Sequence, residues 1–430
     1  MYDSLLDARI GIVRDLIHTE VPAHLPGSFE LVTALLSDTT RFSPWPSDSA
    51  GAGYAFADPE AARGAAFGEA AERYCGNLVP AGLLTATYGE LGPKALDPAS
   101  LALYSADQYA QVGFPLVEFT SALPVEWTTA TDLVTGEGRL VPAGLVWVSY
   151  FSADLTPPTP RTNPVIQAGL AAGPTLEFAV WGGLCEIVER DAMTLAWHGR
   201  AGLRALTPPP WLAAFAKGPR RRLEVRFLEF PNQSGLCVTG ALVRDRESGY
   251  LTLGMGVRAS AEESMIKAYG EALQLQLFVA GLDDPDGPYC RVAADPRSPL
   301  KPWRSDRAYG SSYRADLADV VDYGCHLQLF LDPAIQEKFE DELAQALAEY
   351  RPTVTLPPPG NVAELALRLG SEVLYSDLTT ADVRGAGLHV VRVIAPGTYS
   401  NTAAGLPFLG GTRLEASLDG RPRRALPLPH

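Results

Sequence analysis

The chain has 430 residues, 47% hydrophobic and 20% charged, which is ordinary for a globular protein and long enough for two or three domains. Its formal net charge of −15 excludes a general nucleic-acid surface, and the "RRR" at Arg220 to Arg222 is too short to change that. Anionic ligands would therefore be held locally, by a few cations, helix N-termini or a bound metal.

In chain order, the opening "MYDSLLDARIGIVRDL" carries acids and no apolar core, so it does not read as a signal peptide. No run approaches the length of a spanning helix, and a cytoplasmic protein that does not enter membranes is expected. "WPSDS" (45–49) reads as a surface turn, with a substrate loop as the alternative. Helical runs are expected at 58–75, 175–198, 260–280 and 333–350. Strands are expected at "GLVWVSYF" (144–151), "LEVRFLEF" (223–230) and "HVVRVIAP" (389–396). Pro-rich breaks at 155–164, 207–211 and 355–360 read as loops between blocks, none long or polar enough to separate independent domains. "GAG" (51–53) and "GMG" (254–256) read as tight turns ahead of two helices. Strands and helices alternate unevenly, which predicts a mixed α/β (α+β) fold. The cysteines at 75, 185, 237, 290 and 325 form no CxxC or zinc spacing and are expected as reduced, buried thiols. The six histidines show no metal pairing; His198 reads as a satisfied helix-end residue, and His430 as part of a disordered terminus unless the tail enters the site.

Three of the helical segments repeat one pattern. Each opens on a good N-cap, Asp58, Thr175 or Ser260, followed by Pro59 at the first helical position in one case and by a capping-box Glu263 in another. Glu60, Glu177 and Glu262 stand two residues after the caps, where a carboxylate complements the helix dipole. Eleven residues after each cap comes Glu69, Glu186 or Glu271, and fourteen after comes Glu72, Glu189 or Gln274. Positions three apart share a face, and eleven residues is roughly 16 Å along the axis, beyond the reach of the dipole. Three helices thus carry an acidic or acid–amide pair at matched depth, flanked by small residues (Gly68, Gly182, Gly183, Gly270) that suit close packing. Converging carboxylates need a counter-charge. A hard divalent cation, Mg²⁺ above all, supplies one and favours a nucleotide as companion; no GxxxxGK[ST] phosphate loop occurs.

The blocks "GAGYAFADPEAARGAAFGEAAERYC", "GLAAGPTLEFAVWGGLCEIVERDA" and "GMGVRASAEESMIKAYGEALQLQ" resemble the signature segments of the YcaO family, and the region between the first two resembles its azole-forming peptide maturase branch. The resemblance implies a YcaO-like fold in which three related helix-bearing segments surround an ATP site. It divides the chain into a helical N-terminal extension (1–40) and an ATP-binding catalytic domain with a Pro-rich tail (41–430). It implies ATP and Mg²⁺ as cofactors, with Glu69 and Glu186 catalytic and Glu69, Glu72, Glu186, Glu189 and Glu271 as metal contacts. Lys267 and Gln274 would face the nucleotide, and Arg190 either contacts phosphate or pairs with Glu72 or Asp191. The implied activity is formation of thiazoline or oxazoline from Cys, Ser or Thr of a ribosomally made precursor peptide. The implied partners are that peptide, a leader-binding protein resembling ubiquitin-activating enzymes and a flavin-dependent azoline dehydrogenase, with a homodimer left open.

The sequence departs from the family pattern at four places. Ala52 stands where a lysine is usual, Gln167-Ala168 where Ser-Asn is usual, and Lys267 where the bidentate fork of an arginine is usual. The tail "PLPH" is shorter than the usual alternating-proline ending. These departures keep two alternatives in view: a non-catalytic YcaO-like scaffold in a peptide-maturation complex, and YcaO chemistry yielding a thioamide or amidine.

Overall fold

The computed structural model describes residues 2–153, 159–352, 356–370, 372–400 and 402–430. Three antiparallel sheets each carry one of the three repeated helices. In the first unit β1 (Val13–His18), β2 (Phe29–Leu36) and β3 (Ala50–Phe56) pair in that order, and helix α1 (Pro59–Cys75) lies across β2 and β3. The second sheet draws on both ends of the chain: β4 (Leu84–Ala86), β5 (Val125–Asp132), β6 (Gly138–Pro142), β7 (Leu170–Gly173), β12 (Leu374–Asp377) and β13 (His389–Ile394). Its order is β4-β5-β12-β13-β7 with β6 on β5, and helix α2 (Leu176–Trp197) packs on β7 and β13. The third unit orders β8 (Arg204–Leu206), β9 (Leu223–Glu229), β10 (Cys237–Asp245) and β11 (Leu251–Arg258) as β11-β10-β9-β8, with helix α3 (Ala261–Leu282) on β10 and β11.

The units close on one another in a ring. Besides covering its own sheet, α1 touches β7, α2 touches β11 and α3 touches β3. Helices α4 (Tyr323–Leu329) and α5 (Pro333–Glu349) complete the largest core, where the ring of Phe339 lies 5.3 Å from Trp197 of α2.

All three N-caps form: the Asp58, Thr175 and Ser260 side chains accept from the amides of Ala61, Phe178 and Glu263, although the reciprocal bond that would complete a capping box at Glu263 is absent among the described residues. The four long helices and the strands at 223–230 and 389–396 fall where expected. Four expectations fail. "GAG" and "GMG" are not turns but the middles of β3 and β11, and their glycines let a helix lie directly on a strand. A Cβ on Gly53 would stand 2.2 Å from the Ala66 nitrogen, and one on Gly254 2.1 Å from that of Ala272. The N-terminal segment is not a helical extension: β1 and β2 belong to the sheet of β3, so a boundary at residue 40 would cut through a unit. The run 144–151 is a short helix (Ala143–Val146) and turns, because a continuous apolar stretch is equally a buried helix segment. Finally, the cysteines are all free, but only Cys75 and Cys325 are buried, while 185, 237 and 290 are partly exposed. The breaks at 155–164 and 355–360 lie partly outside the described residues.

Candidate active site

The three carboxylates eleven residues after the caps are anchored alike. Glu69 Oε2 accepts from the Ala52 amide, Glu186 Oε2 from Gly169 and Glu271 Oε2 from Met255, each at 3.0 Å. Each acceptor is thus tied to the backbone just ahead of, or inside, the strand that its own helix covers. Glu72, fourteen residues after its cap, reaches across the ring instead, its Oε1 2.7 Å from the Ala172 amide of β7. One oxygen of each of these four glutamates is committed to the backbone; the second oxygen of Glu69 is held by Arg73 at 2.8 Å.

All eight residues read from the sequence line one open cleft with about 1590 Å³ of empty space: Glu69, Glu72, Glu186, Glu189, Arg190, Lys267, Glu271 and Gln274. Burial pushes Glu72 up to about 8, and the neighbouring Glu69 and Glu186 add to the shift. Burial likewise raises Glu189, against the pull of Arg190, with Glu271 and Glu186 contributing repulsion. Glu186 is raised by burial although Arg190 and the Gly169 amide oppose it. A cluster of buried acids whose proton affinity is raised by burial and mutual repulsion is short of positive charge. Its ligands are all hard oxygens, so the residues present fit Mg²⁺.

The cations are arranged around this acidic face. Arg190 lies 3.7 Å from Glu186 and 3.4 Å from Glu189, and its guanidinium also meets His430 Nε2. Arg190 therefore pairs with neither Glu72 nor Asp191; Asp191 is taken by Arg413 at 2.7 Å and by the Tyr399 amide. Lys267 Nζ lies over the Tyr54 ring, 4.4 Å from its centroid, while Tyr54 donates to the Lys267 carbonyl. Tyr54 occupies the space above Gly270, where a Cβ would fall 2.2 Å from the ring. Gly183 is equally needed, against Val393; Gly68 has only a loose neighbour in Ala172.

The five glutamates share one cleft, and among the described residues no three His, Cys, Asp or Glu side chains gather closely enough to hold an ion by themselves. One expectation changes here. The tail is ordered rather than frayed: His430 is held between the Leu253 carbonyl (Nδ1, 2.9 Å) and Arg190 (Nε2). His198 is indeed a satisfied helix-end residue, its Nδ1 3.1 Å from the Arg424 carbonyl. Cys185 lines the cleft, yet burial pushes its thiol up to about 12, and Cys75 to about 11.

Sequence reasoning missed two arginines. Arg73 bonds Glu69 Oε1 at 2.8 Å and also reaches Gln167; its position four residues after Glu69 was a legible signal. Arg392, 1% exposed in β13, donates to the carbonyls of Val146, Gln167 and Ala168 at 2.8–2.9 Å. It pins the turn whose next amide, Gly169, holds Glu186. A charge inside "HVVRVIAP" was the sign that this strand faces something polar.

A family model described as YcaO cyclodehydratase, ATP- and Mg²⁺-binding, matches residues 53–399. The chain belongs to the YcaO family. An uncharacterized protein of Methanothermobacter thermautotrophicus is 28% identical over 222 residues, covering 50% of this chain and 54% of that protein. The match thus spans about half of that relative's length. Among solved structures, a heterocyclase in complex with substrate and cofactor superposes with a TM-score of 0.69 at 19% identity, over 100% of this chain and 56% of that one. The YcaO protein of Methanopyrus kandleri bound with AMPPCP and Mg²⁺ gives 0.57 at 18% identity, covering 90% and 86%. At these identities the likeness is one of fold: the mixed α/β architecture of this chain is the one these structures share. Among the described residues no helix is long and apolar enough to cross a membrane.

Proposed function

We propose that this YcaO protein is an ATP- and Mg²⁺-dependent cyclodehydratase acting on a ribosomally made peptide. The observation that carries the reading is the threefold anchoring of Glu69, Glu186 and Glu271 to strand-associated amides around one cleft. Bound there, ATP with Mg²⁺ would supply the phosphoryl group that turns a peptide amide oxygen into a leaving group after a Cys, Ser or Thr side chain has added to that carbonyl. Elimination of phosphate then leaves a thiazoline or oxazoline.

The carboxylates of Glu69, Glu72, Glu186, Glu189 and Glu271 would hold the metal, with Glu69 shared with Arg73. That suits a cation which keeps waters and phosphate oxygens in its shell. Arg190 and Lys267 face the phosphates, Gln274 offers an amide to the nucleotide, and Arg73 and Arg392 keep the anchored acids in place. The physical demand is positioning plus neutralisation, and the cleft supplies both charge signs within one buried surface. A precursor peptide is the substrate, with a leader-binding partner resembling ubiquitin-activating enzymes and a flavin-dependent azoline dehydrogenase as companions.

One observation favours a second reading, a non-catalytic scaffold. The Ala52 amide anchors Glu69, but its methyl side chain brings no cation to the cleft where the family usually has a lysine. ATP turnover in the presence of precursor and partner separates the two. Phosphate release that depends on Mg²⁺ supports the enzyme; nucleotide binding without release supports the scaffold. A thioamide or amidine product in the same assay would keep the site and change the nucleophile.

A further inference from the structure

A second cavity, with about 530 Å³ of empty space including the solvent at its mouth, lies beside the nucleotide cleft and differs from it in chemistry. The last two turns of α2 contribute Met193, Thr194, Trp197 and His198 to its wall; α4 contributes Tyr323 and His326, and the tail Pro427, Leu428 and His430. Three of the six histidines in the chain therefore converge on one apolar space. The two cavities share a wall, because His430 lines this one, Arg190 lines the cleft, and the two side chains touch.

The histidines carry no charge there. His430 offers the proton on Nδ1 to the Leu253 carbonyl and its Nε2 lone pair to Arg190. His326 Nε2 accepts from the Ala404 amide at 3.0 Å, and the ring also bonds the His430 backbone. His198 uses Nδ1 on the Arg424 carbonyl. The other polar side chains of the lining are hydroxyls and the Trp197 indole, whose N–H is spent on the Leu426 carbonyl, so a phosphate finds no counter-charge. The Nε2 lone pairs of His326 and His430 are already engaged, and among the described residues no three ligand side chains gather to hold a metal. Burying an ion among such groups is costly, whereas an apolar stem gains by leaving water.

We propose that this cavity receives an uncharged, chiefly apolar side chain of the peptide substrate, adjacent in that peptide to the residue being modified. The inference rests on the cyclodehydratase reading, since it takes the neighbour of the nucleotide cleft as the peptide's path. It makes the cavity a specificity pocket that prefers apolar and aromatic side chains and rejects Asp, Glu and Lys.

The test uses the full chain with AMPPCP and Mg²⁺ and the reporter N-acetyl-4-fluorophenylalanyl-cysteine amide, followed by ¹⁹F line broadening. Broadening is expected. N-acetyl-tyrosyl-cysteine amide should displace the reporter at concentrations at least about tenfold lower than the aspartyl analogue. Thr194→Trp, which fills the cavity from α2, should abolish broadening while calorimetry still shows nucleotide binding. No broadening of the wild-type sample, equal competition by both peptides, or unchanged broadening with a folded Thr194→Trp chain would each overturn the proposal. Loss of ATP binding in the wild-type chain would instead overturn the function on which it rests, so the two failures are distinguishable.

Discussion

Glu69 and Glu186 show why the identity of a carboxylate matters separately from its shape. A glutamine at either position can still accept the anchoring amide through its oxygen, so the geometry survives while the charge is lost. Glu69→Gln combined with Glu186→Gln should therefore lower phosphate release by at least about a hundredfold with an unchanged circular dichroism spectrum. Turnover within a few-fold of wild type would remove both from the site. His326 gives a stability prediction of definite sign. Burial holds its folded value down at about 3, against an ordinary 6.5, so below pH 6.5 the unfolded chain takes a proton that the folded chain refuses. Its contribution is therefore fully present above pH 6.5 and is lost as the pH falls towards 3, at about 1.4 kcal/mol per pH unit. His326→Gln, whose oxygen can still accept from the Ala404 amide, should flatten the dependence of unfolding free energy on pH between 6 and 4.5 by about one proton. Urea titrations at several pH values read this directly, and identical slopes would show that His326 titrates freely.

Glycines decide how closely each helix approaches its strand. Gly254→Ala would drive a methyl into the backbone of α3 at Ala272, and with no flexible side chain to yield, a loss of about 3 kcal/mol or more is expected. Gly64→Ala is the control: it lies in α1 with nothing within 4 Å of the added carbon, so a gain of about 0.5–1 kcal/mol is expected. Thermal denaturation of both variants checks the pair, and equal shifts would mean that the strand–helix approach is not close. The same positions show what the sequence could and could not reveal. Caps, helix spans and the matched glutamates were legible because they obey local rules of hydrogen bonding and period. The strands β3 and β11 were not, because Gly-Ala-Gly and Gly-Met-Gly lack β-branched residues, and their glycines make sense only once a helix lies on them. The run 144–151 failed for the opposite reason: its apolar residues are buried, but no local signal says in which backbone form.

The ring of three units explains how distant segments of chain converge. Each helix covers its own sheet and touches the strand of the next, so residues at equal depth on α1, α2 and α3 must meet near the centre. The second sheet needs β12 and β13 from the far end of the chain, and the tail returns to the same centre. The Trp197 indole donates to the Leu426 carbonyl at 2.7 Å, the Leu253 amide to the Pro429 carbonyl at 2.6 Å, and Arg424 pairs with Glu349. Pro427 and Pro429 have few conformations to lose, which lowers the entropic cost of docking so short a segment. That order could not be read from "LPLPH" alone, because its partners lie more than 100 residues away. Deleting residues 426–430 should expose Trp197 and unclamp Arg190, giving a red-shifted fluorescence and weaker nucleotide binding; an unchanged spectrum would mean that the tail does not dock. Calorimetric titration of ATP into the full chain with and without Mg²⁺ is the most direct measurement of the whole. Saturable binding that requires Mg²⁺ and is lost on Glu69→Gln with Glu186→Gln is expected. Binding that ignores both the metal and the two substitutions, or no binding alone or with the partner and precursor, would contradict a carboxylate–metal–nucleotide site.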